Sequence, residues 1–389
     1  MVVSVQNKPP GARPTLTEPY RVMVVDDSAV VRGLISRMLE DDPDISVVAS
    51  VGNGQLAINT LDKMDIELVI LDIEMPVMDG LTALPKLIAK DKDLRVIMAS
   101  TLTLRNAEIS MKALELGACD YVPKPTSSRD MTGGQSNFQR DLVEKVKTFG
   151  KIRRGSGGAV APAARGLSPR SKMQPKRPKP VEIRPGPVTL RDPGIIKPEL
   201  LAVGSSTGGP QALFAFFKEI HGKIDVPVIV TQHMPATFTT ILAEHITRMS
   251  GWPAQEASNG MELKKGHVIV APGDYHMEIV EKGGKKVVAL NQKPPVNFCR
   301  PAVDPMLMSV SKLYGAKVLV TILTGMGQDG LEGSKVIAAG GGTVIAQDEA
   351  SSVVWGMPGA VATAGICSLV KPIKELAQYT VKLMTKGVR

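Results

Sequence analysis

The sequence predicts two α/β domains, each built on a sheet of mainly parallel strands. Short apolar runs alternate with helical segments in both halves of the chain, a pattern typical of right-handed crossovers between parallel strands. A stretch rich in Pro, Gly, Arg and Lys separates the halves and lacks hydrophobic periodicity. The 389 residues also exceed the usual size of one domain. We expect a disordered leader at 1–19, a first domain at 20–152, a basic linker at 153–196 and a second domain at 197–389.

The first half contains five apolar runs, each followed by a segment with helical spacing. The first run is β-branched in character and ends at two aspartates, and a fully apolar run ends at a third aspartate. In the last helical segment, Leu142, Val146 and Phe149 fall on one face. The pattern indicates a flavodoxin-like sheet, with strands at 21–25, 45–51, 68–71, 96–99 and 119–122 and helices at 29–39, 55–64, 81–89, 107–115 and 138–151.

The second half alternates in the same way and predicts a second, mostly parallel α/β domain that is Rossmann-like. Its apolar runs are short and bounded by Gly, Pro or Asp, as buried strands commonly are. Two of them are separated only by residues 282–285, which indicates a hairpin. We predict strands at 200–203, 226–231, 267–271, 277–280, 286–290, 318–323 and 342–346, with helices at 211–218, 238–249, 305–313, 331–339 and 373–385 and one that begins at 357.

Charge at first favours a nucleic-acid-binding protein, because the formal net charge is +9. Much of the basic excess, however, lies between residues 151 and 191, where acids are nearly absent. A charged, Pro-rich segment of this kind is usually a solvated linker. We therefore expect no nucleic-acid partner.

Membrane and secreted classes are not indicated. No apolar run approaches the ~18 residues that span a bilayer, and the N-terminus lacks the pattern of a secretory signal. The three cysteines, Cys119, Cys299 and Cys367, are scattered and odd in number, so they indicate neither a disulfide framework nor a zinc site. We expect a cytoplasmic protein.

Charged side chains follow the predicted strands of the first domain. Asp26, Asp27 and Asp72 lie at the carboxyl ends of two strands, where parallel sheets bind ligands. Three converging carboxylates repel one another unless a hard cation such as Mg²⁺ lies among them. One carboxylate can then attack a phosphoryl group, while Lys124 neutralises charge and Ser100 donates a hydrogen bond. Any single Asp here is equally typical of a helix cap or a turn.

The complete set, in this order and with Asp72-Ile-Glu-Met-Pro-Val-Met-Asp-Gly, strongly resembles the receiver domain of bacterial response regulators. The resemblance covers roughly residues 21–151. It implies that Asp72 accepts a phosphoryl group from a histidine kinase. It also implies a Mg²⁺ site, whose ligands would be Asp26, Asp27, Asp72 and the backbone carbonyl of Glu74. The residues that sense the phosphoryl group would be Ser100, Lys124 and the rotating aromatic Tyr121.

A small-residue loop at 204–209 follows the first strand of the second domain. A loop of this kind can bind an anion at a helix N-terminus, but here the Rossmann pattern is broken by Ser206 and a P-loop would lack its Lys. The loop matches Gly-x-Ser-x-Gly through Gly204, Ser206 and Gly208. In that motif a tight strand-to-helix turn exposes the serine hydroxyl beside N–H groups that can stabilise an oxyanion. Ser205 occupies the variable position of the motif.

A serine nucleophile needs a base, and the base needs an orienting acid. Of the five histidines, His233 is best placed, because it follows a predicted strand. Asp329 follows another strand within a Gly-rich loop. Taken alone, His233 also suits a strand-end turn, and Asp329 suits a helix N-cap. Because Ser206, His233 and Asp329 all lie just past the carboxyl ends of strands, they can converge on one crevice.

The stretch 201–385 resembles the catalytic domain of the chemotaxis protein-glutamate methylesterase family. Seven segments carry the resemblance: Gly204-x-Ser-Thr-Gly-Gly, Thr231-Gln-His-Met-Pro, Ile269-x-Ala-Pro-Gly-Asp-x-His-Met, Pro294-Pro-Val-Asn, Arg300-Pro-x-Val-Asp, Leu323-Thr-Gly-Met-Gly-x-Asp-Gly and Ala346-Gln-x-Glu-Ala-Ser. Only the leader and the linker lie outside the two resemblances, and the linker is longer and more basic than a minimal connector.

The resemblance implies a catalytic domain that works without a cofactor. Ser206 would be the nucleophile, His233 the base and Asp329 the orienting acid, and the backbone N–H of Met326 would help to hold the oxyanion. The implied substrates are glutamate γ-methyl esters on methyl-accepting chemotaxis receptors, with glutamine deamidation as a second activity. The phosphoryl donor would be the chemotaxis histidine kinase, and phosphorylation of Asp72 would relieve blockage of the active site by the receiver.

Three residues and two other functions stay open at this point. Asn297, Arg300 and Asp304 suit either a substrate groove or a structural ion pair. The C-terminal half could instead bind nucleic acid, although no helix-turn-helix pattern is visible. It could also bind a nucleotide through the 204–209 loop, although an acid for the ribose is missing at the end of the next strand.

Overall fold

The N-terminal domain is a five-stranded parallel sheet in the order β2-β1-β3-β4-β5. The computed structural model describes residues 18–124, 137–155 and 188–387. Within this domain the strands are β1 (Tyr20–Val25), β2 (Ile45–Val51), β3 (Leu68–Asp72), β4 (Arg95–Ser100) and β5 (Asp120–Pro123). The helices are α1 (Ala29–Glu40), α2 (Gly54–Leu61), α3 (Gly80–Lys90), α4 (Leu104–Glu115) and α5 (Asn137–Gly155). The predicted flavodoxin-like order is confirmed.

Polar side chains begin four of these helices at defined residues. Ser28, Asn53, Asp79 and Thr103 each accept a hydrogen bond from a backbone N–H in the first turn of α1, α2, α3 and α4, respectively. A cap of this type stabilises a helix by about 1 kcal/mol. The caps therefore determine where each strand-to-helix loop ends, at the sheet edge that carries the aspartates.

The C-terminal domain contains a seven-stranded sheet in the order β14-β13-β12-β6-β7-β9-β8, in which every pair is parallel. Its strands are β6 (Leu200–Ser205), β7 (Val228–Gln232), β8 (Ala254–Glu256), β9 (Val268–Val270), β12 (Val318–Ile322), β13 (Thr343–Gln347) and β14 (Leu369–Lys371). Its helices are α6 (Gly209–Ile220), α7 (Phe238–Ser250), α8 (Val303–Tyr314), α9 (Leu331–Ala339), α10 (Met357–Thr363) and α11 (Ile373–Lys386).

A separate antiparallel hairpin accounts for the remaining strands. It consists of β10 (His276–Lys282) and β11 (Lys285–Asn291). Gly283 and Gly284 connect them with φ angles of 59° and 74°, a backbone region that glycine adopts without a steric penalty. The sequence pattern predicted this hairpin but missed β8 and β14. Those two strands are three residues long and lie at the edges of the large sheet, so they carry too few apolar positions to show a period.

Most of the predicted leader and linker lies outside the described residues, at 1–17 and 156–187. Residues 188–196 form neither helix nor strand, and they lie against the C-terminal domain. Arg191 donates its backbone N–H to the Cys367 carbonyl at 2.9 Å, and Gly194 donates to Thr343 Oγ1 at 3.0 Å. The predicted domain boundaries stay predictions. None of the described helices combines the length and the apolar character needed to cross a membrane.

The two domains contact each other through α4 and β5 on one side and α6 and α7 on the other. Tyr121 stacks on Phe238 with ring centroids 4.5 Å apart and an interplanar angle of 8°. At the edge of this contact, the Gln211 side-chain amide donates to the Ala118 carbonyl at 3.5 Å. Buried side chains from one face of each sheet join in a single apolar cluster that spans both domains, and each domain has a further cluster of its own. This packing places the N-terminal domain on the helices that follow the small-residue loop.

Candidate active site and phosphorylation site

The structure brings the three predicted aspartates together at the carboxyl edge of the first sheet. Asp26 follows β1 and Asp72 ends β3, and these two strands are neighbours. Carboxylate oxygens of Asp26, Asp27 and Asp72 all lie within 4.8 Å of one another. Lys124 Nζ lies 2.6 Å from both Asp26 Oδ2 and Asp72 Oδ1. The amine therefore bridges the two buried carboxylates in this conformation.

Burial raises the pKa of Asp72, although the hydrogen bond and the charge of Lys124 lower it in part. A divalent cation would favour the ionised carboxylates further, because it adds positive charge at the same place. The donor set consists of hard oxygens that converge without nitrogen or sulfur ligands, and this set fits Mg²⁺. Glu74 lies two residues beyond Asp72 in the loop before α3, and its role as a carbonyl ligand stays a prediction.

The predicted sensing residues lie in β4, in β5 and directly after β5. Ser100 is buried at the end of β4, with its hydroxyl 3.2 Å from Ser110 Oγ. The Lys124 N–H donates to the Ser100 carbonyl at 2.7 Å, which ties the lysine to that strand. Tyr121 is also buried, by the stack on Phe238 described above. The aromatic predicted as a phosphorylation reporter is thus in direct contact with the second domain, which the sequence did not indicate.

Ser206 lies in the turn between β6 and α6. Its N–H donates to the Thr324 carbonyl at 3.0 Å, and its carbonyl accepts from Gly209 N–H at 2.7 Å. Gly208 has a φ of 74°, and a Cβ there would lie 2.6 Å from the Val353 side chain. Only glycine satisfies both demands, since a side chain would be strained and would clash. The turn is therefore of the tight kind that the motif predicted.

Gln232 fixes the backbone of both Ser206 and His233. It ends β7 in register with Ser205 of β6, so Ser206 and His233 follow on adjacent strands. The Gln232 amide donates to the Ser206 carbonyl at 2.8 Å and to the His233 carbonyl at 3.1 Å, and it accepts from Ser205 Oγ at 2.6 Å. Sequence reasoning assigned no role to Gln232, although it stands in the Thr231-Gln-His-Met-Pro segment.

Asp329 is held at the N-terminus of α9 by backbone donors. Its Oδ2 accepts from Val303 N–H at 2.6 Å, and its Oδ1 accepts from Asp304 and Gly330 N–H at 3.1 and 2.9 Å. His233 Nε2 lies 2.7 Å from Oδ2. Burial by itself raises the pKa of Asp329, but the hydrogen bond and the charge of His233, with the backbone donors, lower it. The carboxylate is therefore ionised and oriented toward the imidazole.

The other ring nitrogen of His233 contacts Cys299, and no hydrogen bond joins it to Ser206. His233 Nδ1 lies 3.3 Å from Cys299 Sγ, and the Ser206 hydroxyl makes no hydrogen bond within the part of the chain that the structure describes. Burial lowers the pKa of His233, whereas charge on Cys299 and the hydrogen bonds of Asp329 and Cys299 raise it, to about 10. The structure thus pairs His233 with Asp329 and places Ser206 and His233 just past the ends of adjacent strands, without a hydrogen bond between them. The catalytic roles of the three residues stay predictions. Nothing in the sequence pattern had pointed to Cys299.

Backbone N–H groups suited to an oxyanion surround Ser206. A Cβ on Gly325 would lie 2.9 Å from Ser206 Cβ, so the loop before Met326 runs directly against the serine. Among the described residues, neither Met326 N–H nor Thr207 N–H donates a hydrogen bond. Free N–H groups on either side of a hydroxyl can receive a developing negative charge.

Arg300 and Asp304, for which a groove role and a structural role were both open, each make a structural contact. Arg300 Nη2 and Nε lie 2.6 and 3.1 Å from Asp274 Oδ1, and Asp304 Oδ1 accepts from Gly333 N–H at 2.7 Å. Burial raises the pKa of Asp304 to about 6. Both side chains stabilise loops around the site through these contacts. Asn297 instead reaches the site, since its amide donates to Asp329 Oδ1 at 3.5 Å.

The fold and the two sites define a response regulator whose output domain is a hydrolase of α/β type. Comparison with known proteins supports each half. The family model for the response regulator receiver domain matches residues 22–133, and the model for CheB methylesterase matches residues 201–380. The match over the C-terminal half favours neither a nucleic-acid-binding nor a nucleotide-binding output.

Relatives match over nearly the whole chain. The protein-glutamate methylesterase/protein-glutamine glutaminase 1 of Rhodospirillum rubrum is 57% identical over 376 residues, which are 96% of this chain and 97% of the relative. The protein of the same name from Paramagnetospirillum magneticum is 55% identical, with coverage of 95% and 97%. The crystal structure of the Thermotoga maritima CheB methylesterase catalytic domain has 37% sequence identity and a TM-score of 0.47, and it covers 48% of this chain and 100% of that chain.

The chain belongs to the family of protein-glutamate methylesterases/protein-glutamine glutaminases. The resemblance drawn from its motifs is confirmed.

Proposed function

We propose that this protein removes γ-methyl groups from glutamates, and amide nitrogen from glutamines, on methyl-accepting chemotaxis receptors. The observation that carries the proposal is the convergence of Ser206, His233 and Asp329 at one sheet edge, with His233 and Asp329 2.7 Å apart. Family membership supports the substrate class. Because the receptor helices concerned are cytoplasmic in that family, the proposal places the protein in the cytoplasm.

In the proposed reaction the Ser206 oxygen attacks the ester carbonyl carbon. Its proton passes to His233 Nδ1, since Nε2 is engaged by Asp329. The N–H groups of Met326 and Thr207 stabilise the oxyanion. The C–O bond to the methoxy group then breaks, and methanol leaves with the proton from His233. A water deprotonated by His233 attacks the acyl carbon and releases free glutamate and Ser206. On glutamine the leaving group is ammonia.

The N-terminal domain supplies the regulation. Asp72 would take a phosphoryl group from a chemotaxis histidine kinase. Asp26, Asp27, Asp72 and the Glu74 carbonyl would hold Mg²⁺, which supplies positive charge to the phosphoryl oxygens when bound. Lys124 and Ser100 would then bind the phosphoryl oxygens. This requires Lys124 to leave its ion pairs with Asp26 and Asp72, and that change lies at the end of β5, near Tyr121.

The proposal is tested by covalent labelling. A fluorophosphonate should react with the hydroxyl of Ser206 and stop methanol release from methylated receptors in proportion to the labelled fraction. Mass spectrometry of the digested protein locates the label, and methanol is measured by gas chromatography. A label on Ser205 or elsewhere, or full inhibition without label on Ser206, would contradict the assignment.

Asp72→Asn should abolish activation by a phosphoryl donor while leaving the resting activity in place, because an amide cannot accept the phosphoryl group. The measurement is methanol release with and without the kinase. Asp93→Asn is the matched control, since Asp93 is exposed in the same domain and away from the acidic cluster. An Asp72→Asn protein that the kinase still activates would overturn the assigned acceptor.

A further inference from the structure

A tight turn at 296–299 touches both the active site and the N-terminal domain. Val296 and Cys299 exchange two backbone hydrogen bonds, at 3.1 and 2.9 Å. The two central residues, Asn297 and Phe298, have φ angles of 50° and 64°. Such left-handed angles are unfavourable for an aromatic residue in particular. The turn is therefore strained and is held in place by what its side chains contact.

Its three side chains contact three different partners. Cys299 Sγ lies 3.3 Å from His233 Nδ1. The Asn297 amide donates to Asp329 Oδ1 at 3.5 Å. Phe298 points outward, 77% exposed, and lies under the guanidinium of Arg140, whose Cζ is 4.2 Å from the ring centroid. Arg140 belongs to α5 of the N-terminal domain. One four-residue turn thus joins the base, the orienting acid and the regulatory domain.

The contact at Nδ1 matters because this is the one ring nitrogen of His233 that Asp329 does not engage. Nε2 faces the Asp329 carboxylate and so carries a proton that it donates. Nδ1 is then the nitrogen that has to accept the proton of Ser206. Cys299 Sγ contacts that same nitrogen, while the Ser206 hydroxyl has no hydrogen-bond partner within the described chain. Cys299 and Ser206 therefore compete for one ring nitrogen.

We propose that Cys299 is a positioning residue that keeps the imidazole of His233 away from Ser206 while the N-terminal domain is docked, and that Arg140 holds the turn carrying Cys299 in place. The inference rests on the proposed function, because it takes His233 to be the base. Undocking removes Arg140 from Phe298, and the strained turn relaxes. His233 Nδ1 is then free to accept the proton of Ser206.

The electrostatics of the pocket agree with this proposal. The titratable groups that face the His233 ring are Asp329, from the loop before α9, and Cys299, from the turn. Asp304 lies behind Asp329, and Arg140 lies on the far side of Phe298. The pKa of His233 is raised to about 10, which favours the protonated imidazole, and a protonated imidazole cannot accept the proton of Ser206. Removing Cys299 removes one of the causes of that rise.

The test combines a histidine titration with an activity profile of the full-length protein. In Cys299→Ala, we expect the pKa of His233 to fall by about one unit or more, measured by nitrogen-15 NMR and assigned with a His233→Gln variant. Unphosphorylated methanol release should rise about tenfold per unit of pKa lost, since the fraction of neutral imidazole rises in that proportion. The acidic limb of the pH–activity profile should move to lower pH, and kinase-activated release should change little.

Arg140→Ala is the second variant, and it should raise unphosphorylated activity in the same direction. In the double variant the two effects should not add, because both act through one turn. Ser258→Ala and Lys86→Ala are the matched controls, since Ser258 is exposed on a loop of the C-terminal domain and Lys86 is exposed on α3. Both controls should behave as the wild type does.

Two results would overturn the inference. One is an unchanged His233 pKa and pH profile in Cys299→Ala. The other is a loss of activity in that variant down to the level without Ser206, which would make the thiol itself necessary for turnover. Failure of the proposed function looks different: the NMR shift would then appear in Cys299→Ala, while no form of the protein releases methanol.

Discussion

Replacing Ser206 with Ala is expected to lower turnover of methylated receptors about a million-fold, as the loss of a catalytic serine does in serine proteases. The hydroxyl oxygen forms the bond to the acyl carbon, and alanine offers no substitute. Stability should change little, because the Ser206 hydroxyl makes no hydrogen bond within the described residues. Methanol release and thermal unfolding measured on the same preparation separate the two effects.

Alanine variants of two other serines serve as comparisons in this experiment. Ser258→Ala should leave activity and stability unchanged, because Ser258 is exposed on a loop of the same domain. Ser205→Ala should instead lower stability by about 1–3 kcal/mol, since it leaves the side-chain oxygen Oε1 of the buried Gln232 without the hydroxyl that donates to it. Substantial methanol release by Ser206→Ala would remove Ser206 from the mechanism.

Asp329→Asn should lower turnover about ten-thousand-fold, the effect known for the same change in a serine-protease triad. An amide cannot stabilise the imidazolium that forms as His233 takes the proton, and it can hold the ring in the wrong tautomer. Stability should fall as well, because the carboxylate accepts N–H groups of Val303, Asp304 and Gly330. An amide nitrogen placed against any of these donors costs about 1–3 kcal/mol.

The pH dependence of stability gives a second signature of Asp329. Its pKa in the folded protein is lowered overall, so the folded state binds fewer protons there than the unfolded state does. The carboxylate therefore contributes stability that is fully present above its ordinary pKa of about 3.9, and that is lost as the pH falls toward the lowered value. The amide introduced by Asp329→Asn cannot titrate, so this variant should show a flatter loss of stability in acid.

Asp225→Asn is the matched control for this variant, since Asp225 is exposed in the same domain and forms no ion pair among the described residues. It should retain both activity and the acid limb of the wild-type stability curve. Full turnover in Asp329→Asn would contradict the orienting role of this carboxylate. Wild-type stability at neutral pH would contradict its role in fixing the loops around α8 and α9.

The contact between the domains can transmit a structural change at Asp72 to the active site. Lys124 and Tyr121 both belong to the segment at the end of β5, and Tyr121 stacks on Phe238 of α7. A movement of Lys124 toward a phosphoryl group would disturb this segment. Because the stack is part of a cluster shared by both domains, its loss would weaken docking as a whole. Phosphorylation acts on the enzyme only if it changes the free energy of this interface.

Most strands and helices could be predicted because each has its own pattern of apolar residues. Leu68–Asp72 and Val318–Ile322 are wholly buried, and strands of this kind appear in the sequence as unbroken apolar runs. The position of Ser206, His233 and Asp329 followed from a rule of parallel sheets, which bring the carboxyl ends of strands to one edge. Local pattern and strand direction together therefore determined the fold class, and the motifs determined the family.

Only the tertiary structure decided which atoms meet within those sites. Cys299 and His233 are 66 positions apart, and neither periodicity nor a motif links them. The side chain of Cys299 reaches the ring because the strained turn at 296–299 directs it toward His233. A turn of four residues is too short to show a hydrophobic period in the sequence. The stack of Tyr121 on Phe238 likewise depends on how the two sheets dock against each other. Contacts of this kind depend on distances through space, and these are set only when the whole chain has packed.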